Sequence, residues 1–206
     1  MNIVEDKLSA MHTDAKKDVL RMGKGIAKSI FGTIQPEDFE HAYLPISKQQ
    51  GRDIRDLIIE NNAKNIVEFG TSFGISTIYL ADAAVKTGGY VTSTELLESK
   101  AYIAIENIED AGLSNYVEVK IGDALETLSD YPNKIDFLFL DGWNNLYLPL
   151  IKMLEPKFHS ETLIYADNMD MSGTEDYADY ISNNSAYSNQ EMHGGKGVLS
   201  RFEVKR

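Results

Sequence analysis

Val67-Glu-Phe-Gly-Thr-Ser-Phe-Gly74, running on into Ile75-Ser-Thr-Ile78, decides how the rest of the chain is read. A short apolar run beginning at Asn65 meets a turn with glycines at positions 70 and 74, then a stretch of helical composition. Glycine lets the backbone turn sharply and lets a ligand approach it closely. Strand, glycine turn and helix in that order open a βαβ unit. The spacing is G-x-x-x-G. It is not the G-x-G-x-x-G with which dinucleotide folds lay a pyrophosphate on a helix N-terminus. Taken alone, such a turn serves structure as readily as it serves a ligand.

Downstream the same unit repeats. Short β-branched and aromatic runs at 65–69, 90–94, 116–121, 135–140 and 162–166 alternate with helical stretches at 75–86, 97–111, 124–129 and 146–154, and a further helix is expected over 48–61. This alternation predicts an α/β fold on a mostly parallel sheet. Ile135-Asp-Phe-Leu-Phe-Leu140 is nearly all apolar, as in a strand covered on both faces. At the end, runs at 186–192 and 198–204 flank His193-Gly-Gly-Lys-Gly197 and read as a closing hairpin.

Upstream, Val4, Leu8, Met11, Ala15, Val19, Met22 and Ile26 form a helical stripe that Gly23 and Gly25 are expected to break. Residues 1–40 are therefore read as a helical extension and 41–206 as the main domain. Lys16, Lys17, Arg21, Lys24 and Lys28 make the second half of the stripe basic. Basic amphipathic helices bind membranes or partner proteins. The apolar face here is narrow and lacks Trp and Phe, which favours packing on its own domain or on a second copy in a homodimer.

The 206 residues suffice for one substantial core, and 32 Asp+Glu against 20 Lys+Arg give a formal charge of -12. Such a chain repels phosphate backbones, so nucleic acid is not the expected partner. There is no cysteine for a disulfide, thiolate site or thiol nucleophile. No run approaches the ~20 apolar residues of a membrane span, and Glu5, Asp6 and Lys7 interrupt any leader-like start. A cytoplasmic protein without membrane contact is expected.

In open parallel sheets, ligands bind beyond the carboxyl ends of the strands. The second run ends in Ser93-Thr-Glu95, 25 positions after Gly70, where an acid accepts hydrogen bonds from ribose hydroxyls. The competing role for Glu95 is to cap the next helix. Gly122-Asp123-Ala124 follows the third run, where an adenine edge is read. The fourth and fifth runs end in Leu140-Asp-Gly-Trp143 and Ala166-Asp-Asn168. If those runs are neighbours, Asp141, Asp167 and Asn168 converge, and two carboxylates with an amide oxygen suit Mg²⁺. Aspartates at strand ends also cap helices and turns, and both roles stay open.

Together the segments 67–77, Phe139-Leu-Asp-Gly-Trp143 and Ala166-Asp-Asn168 resemble the catechol O-methyltransferase-like family of S-adenosylmethionine-dependent methyltransferases, especially its small bacterial members. The resemblance runs from about Leu44 to Asn168 and implies a Rossmann-like, doubly wound, seven-stranded sheet with an antiparallel last strand. It implies that Leu44-Pro-Ile46 closes over S-adenosylmethionine and that Glu68, Gly70 and Ser76 hold its amino-acid end. Glu95 would bind the ribose, with Asp123 and Trp143 near the adenine. Asp141, Asp167 and Asn168 match the metal ligands.

Two positions depart from that pattern. Catechol-methylating members carry a lysine base three residues after the first metal-binding aspartate; here the position is Asn144, and an amide takes no proton. They also carry a glutamate near the final strand, whereas Gly197-Val-Leu-Ser200 has no carboxylate. The mechanism implied is in-line methyl transfer to the hydroxyl of a small acceptor, with Asp141 and Asn144 at the reacting end and His193 or Lys196 as substitute bases. Two alternatives stand: a cofactor-binding protein that has lost the activity, and a nicotinamide-dependent oxidoreductase.

Overall fold

The computed structural model describes residues 2–17, 38, 40, 41, 43 and 45–203. The expectations for Val19, Met22, Gly23, Gly25, Ile26, Leu44 and Val204 lie outside the described residues. Helix α1 spans Ile3–Ala15 and α2 spans Lys48–Glu60. Then β1 (Asn65–Phe69), α3 (Ile75–Thr87), β2 (Tyr90–Glu95), α4 (Glu98–Asp110), β3 (Val117–Ile121) and the short α5 (Ala124–Thr127) follow. The second half holds β4 (Phe137–Leu140), α6 (Tyr147–Leu154), β5 (Leu163–Ala166), α7 (Glu175–Asn183), β6 (Tyr187–Met192) and β7 (Gly197–Phe202).

One seven-stranded sheet runs in the order β3-β2-β1-β4-β5-β7-β6. The first five strands pair in parallel, and β7 lies antiparallel between β5 and β6. The expected antiparallel last strand is therefore present, inserted before β6 rather than at the sheet's edge.

Strand periodicity divides the core into two layers. Ile66, Phe137, Phe139 and Tyr165 face a cluster that includes Ile54 and Ile58 of α2 and Ile78 of α3. Val67, Leu138, Leu140 and Ile164 face a second cluster with Leu150 and Ile151 of α6 and Tyr177 and Ile181 of α7. In α1, Val4, Leu8, Met11 and Ala15 are buried, and the first three join the α2–α3 layer. The first half of the N-terminal stripe thus packs on its own chain.

Local chemistry fixes the elements that frame the site. Ser47 and Gln50 form a reciprocal capping box that starts α2. Gly74, at φ +90, turns the chain into α3. A Cβ on Gly51 would lie 2.3 Å from Tyr79 Cε2, so α2 packs directly on the ring of α3. Helix α7 was not evident in the sequence, because it buries only Tyr177 and Ile181 among polar neighbours.

Candidate active site

The strand order reverses at β1, which pairs with both β2 and β4. The ladder carries on past the strand ends. Asp141 N donates to Phe69 O and Asp167 N to Leu140 O, both at 2.9 Å, while Gly70 N and Thr71 N donate to Thr94 O. These bonds bring the carboxyl ends of β1, β2, β4 and β5 to one edge, where open α/β sheets hold their ligands.

A cavity of about 530 Å³ opens there, within the usual size for small-molecule sites. Of the residues expected as cofactor contacts, Ile46, Gly70, Ser76, Glu95, Asp123, Asp141 and Trp143 line it and Glu68 does not. Asn144 and Asn168 also line it. Gly70 sits at φ +102, and a Cβ there would lie 2.5 Å from the Asp141 carbonyl oxygen. Only glycine fits this close approach of the β1 and β4 ends.

Glu95 lines the cavity, and its carboxylate also holds the start of α4. Its Oε2 accepts from Ser72 N at 2.8 Å and its Oε1 from Leu97 N at 2.9 Å, at the start of α4. Burial raises its pKa, opposed by those backbone N–H groups and by the charge of Lys100. Asp123 likewise caps α5 by accepting from Leu125 N at 2.8 Å while it lines the cavity.

Glu68 is placed differently from its neighbours in the motif. It is fully buried and absent from the cavity lining, held instead among hydroxyls behind the wall. Its Oε2 accepts from Thr77 Oγ1 at 2.6 Å and Ser93 Oγ at 2.5 Å, whereas Oε1 has no partner. Burial lifts its pKa to about 7, against the pull of hydrogen bonds from Ser76, Ser93 and Thr77.

Asp141, Asp167 and Asn168 do come together. Asn168 adopts φ +59 and donates through Nδ2 to Asp141 Oδ1 at 3.0 Å. Burial pushes the Asp141 pKa well up, reinforced by the charges of Asp167 and Glu68. Burial also raises Asp167, opposed by the Asn168 backbone N–H and by Lys196. Asp167 accepts from Gln50 Nε2 at 2.8 Å and does not line the cavity. Among the described residues, no group of three or more histidine or acidic side chains is arranged to hold a metal. The candidate donor set is two carboxylates and one amide.

Two further loops line the cavity. Asn144, Asn145 and Leu146 follow β4, and Met171, Ser172 and Gly173 follow β5. Asn144 Nδ2 donates to Ser172 O at 3.1 Å and ties the loops together. His193, whose Nε2 lies 3.6 Å from Asp53 Oδ2, and Lys196 do not line the cavity, so neither is placed as a substitute base. Sequence reasoning missed Gln50, Ser72 and the Met171–Gly173 wall. The Ser47-x-x-Gln50 spacing signals a capping box, but nothing in it points to Asp167.

Residues 67–169, half of the chain, match the model of the methyltransferase domain family, and the chain belongs to that family. It is 32% identical to a catechol O-methyltransferase of Niastella koreensis over 63% of this chain and 60% of that protein. It is 31% identical to caffeoyl-CoA O-methyltransferase 2 of Petunia hybrida over 62% of this chain and 55% of that protein. The chain thus spans less than two thirds of the length of these relatives. An O-methyltransferase from Bacillus cereus, solved in complex with SAH, superposes with a TM-score of 0.69 at 26% identity, covering 77% of this chain and 83% of that one.

Proposed function

We propose that this chain is an S-adenosylmethionine-dependent O-methyltransferase acting on a small hydroxylated, aromatic molecule. The observation that carries the reading is one cavity at the switch point lined by an anchored acid, Glu95, and by Asp141 and Asn168, with the buried Asp167 next to Asn168 but outside the lining. The Niastella and Petunia relatives, named for O-methylation, support the reaction class.

Two neighbouring carboxylates whose proton affinities are both raised, Asp141 partly by the charge of Asp167, suit a hard divalent cation such as Mg²⁺ beside an amide. The residues fit the group once the Asn168 amide turns its oxygen inward, since Nδ2 now faces Asp141. When bound, the cofactor supplies the activated methyl group and the metal acidifies the acceptor hydroxyl. The chain's own residues do the rest. Glu95 takes the ribose hydroxyls, its carboxylate already fixed by Ser72 N and Leu97 N. Glu68, with Oε1 unpartnered, is the counter-charge for the cofactor's ammonium. Asp123 and Trp143 frame the adenine, and Ile46 covers the ligand. Asp141 and Asn144 flank the reacting end, where Trp143 and Met171 offer apolar faces to a flat acceptor. Asn144 accepts no proton, so the hydroxyl proton passes to water at the exposed Asn145 edge.

A second reading is a protein that binds the cofactor without turning it over. Its support is that the Asn144 side chain is engaged with Ser172 O instead of offering a base. The charge of -12 favours a small molecule over nucleic acid. No helix among the described residues is long and apolar enough to cross a membrane.

The test has two stages. Thermal-shift titrations with S-adenosylhomocysteine and with NAD identify the nucleoside, since a ligand that binds only the native state raises the melting temperature. Transfer of label from S-adenosylmethionine to a catechol panel, with Mg²⁺ and then with chelator, separates catalysis from binding. Stabilisation by NAD alone would overturn the methyltransferase reading.

A further inference from the structure

The Gln50 side chain is shared between two partners. Oε1 accepts from Ser47 N at 3.0 Å, and Nε2 donates to Asp167 Oδ1 at 2.8 Å. The first bond belongs to the cap of α2, and the second reaches the end of β5. Gln50 is 5% exposed, so a bond lost here is not replaced by bulk water. Its backbone is held because α2 rests on Tyr79 at Gly51.

Ser47 adjoins Pro45 and Ile46, which line the cavity. At the other end of this wall, the Tyr43 carbonyl accepts from Ser72 Oγ at 2.8 Å, and the Tyr43 ring packs on Phe73 with centroids 4.5 Å apart. Ser72 N in turn donates to Glu95 Oε2. Tyr43 and Ser47 are therefore each fastened. The first tie leads through Ser72 to the ribose-binding acid, the second through Gln50 to an aspartate that does not face the cavity.

We propose that Gln50 is a positioning residue that couples the state of Asp167 to the grip of the cofactor wall. The inference rests on the reading of this cavity as the S-adenosyl nucleoside site. The amide is one rigid plane, so a rotation of Nε2 to follow Asp167 carries Oε1 away from Ser47 N. Whatever alters Asp167 is then felt where the wall meets the cofactor. Neither the Asp167 carboxylate nor the Gln50 amide needs to touch the nucleoside for this to occur.

The experiment is a double-mutant cycle read by calorimetric titration with S-adenosylhomocysteine. Gln50→Met and Asp167→Ala should each weaken binding about three- to tenfold, the scale of one net hydrogen bond, and the double variant should be no weaker than either. Effects that multiply would overturn the coupling. Gln50→Glu separates coupling from capping, because a glutamate at this helix position still accepts from the Ser47 N–H but cannot donate to Asp167. A residue that only capped α2 would leave Gln50→Glu binding like the wild type, and that result also overturns the proposal. Thermal melts establish that each variant is folded. Amide hydrogen exchange at Ser47 reads the link without ligand. Faster exchange in Asp167→Ala supports it, and unchanged exchange sinks it. A wild type that ignores S-adenosylhomocysteine while Ser47 still responds to Asp167 would remove the nucleoside assignment, and with it the coupling to cofactor.

Discussion

Asn144 Nδ2 donates to the backbone carbonyl of Ser172 at 3.1 Å, so the side chain at the position of the catechol-type lysine fastens the β4 loop to the β5 loop. Asn144→Asp removes the donor and sets a carboxylate against a carbonyl. Amide exchange across residues 171–173 should quicken about fivefold, as for the loss of one hydrogen bond, with S-adenosylhomocysteine affinity unchanged. Asn144→Lys restores an amine at this place. General-base catalysis is worth about 10²–10⁴ in rate, so catechol methylation should rise measurably in that variant. If neither protein methylates any catechol while both bind cofactor, the pocket serves another acceptor or belongs to a protein that only binds.

Glu95 offers the direct test of the nucleoside end. Glu95→Ala should weaken S-adenosylhomocysteine binding by about 1.5–3 kcal/mol, the range for hydrogen bonds to a charged group. The same change removes acceptors from Ser72 N and Leu97 N, so the melting temperature should fall as well. Equal affinities by calorimetry would take Glu95 out of the site.

Glu68 sets a pH dependence with a definite sign. Burial lifts its carboxyl from 4.5 to about 7, so the native state holds a proton that the unfolded chain has released. The stability from that proton is complete below about pH 4.5 and is lost as pH rises toward 7, with a total on the order of 3 kcal/mol. Ligand-free wild type should therefore melt lower at pH 7.5 than at pH 5. Glu68→Gln should flatten the trend without abolishing it, because Asp141 and Asp167 are shifted the same way. Parallel curves for the two proteins would mean that Glu68 is ionised throughout.

The acid pair should take up a divalent ion. Crystals soaked in Mn²⁺ with S-adenosylhomocysteine present should show one anomalous peak among Asp141, Asp167 and Asn168, and Asp141→Asn should lose it. Mg²⁺ should raise the melting temperature of the wild type by relieving the repulsion between the two carboxylates. A position that stays empty at millimolar Mn²⁺ would make this a metal-independent methyltransferase.

Legibility in the sequence followed how local the cause was. The run at 65–69 was read to the residue, because its apolar content and the glycine turn after it are both local. The neighbouring strands and helices moved by a residue or two, as element ends do. The two-layer alternation at Phe137 to Leu140 follows from strand periodicity alone. Glu68 was legible as a motif residue but not as one set behind the wall. That placement depends on Ser93 and Thr77, which fold in from β2 and α3. The Gln50–Asp167 bond spans 117 positions, and no local pattern encodes it. It exists because the sheet brings β5 beside the start of α2.

The contact of Gly51 with Tyr79 constrains how this chain can change over generations. No side chain enters at position 51 while the tyrosine ring stays, since the Cβ would fall 2.3 Å from its edge. Trimming the ring first would remove the hydroxyl that meets His12 Nε2 at 3.4 Å and so loosen α1. Substitutions at 51, 79 and 12 are thus expected to be inherited as a set, in an order that passes through position 79 before position 51. A lineage that has kept the tyrosine at 79 has, by the same contact, kept glycine at 51.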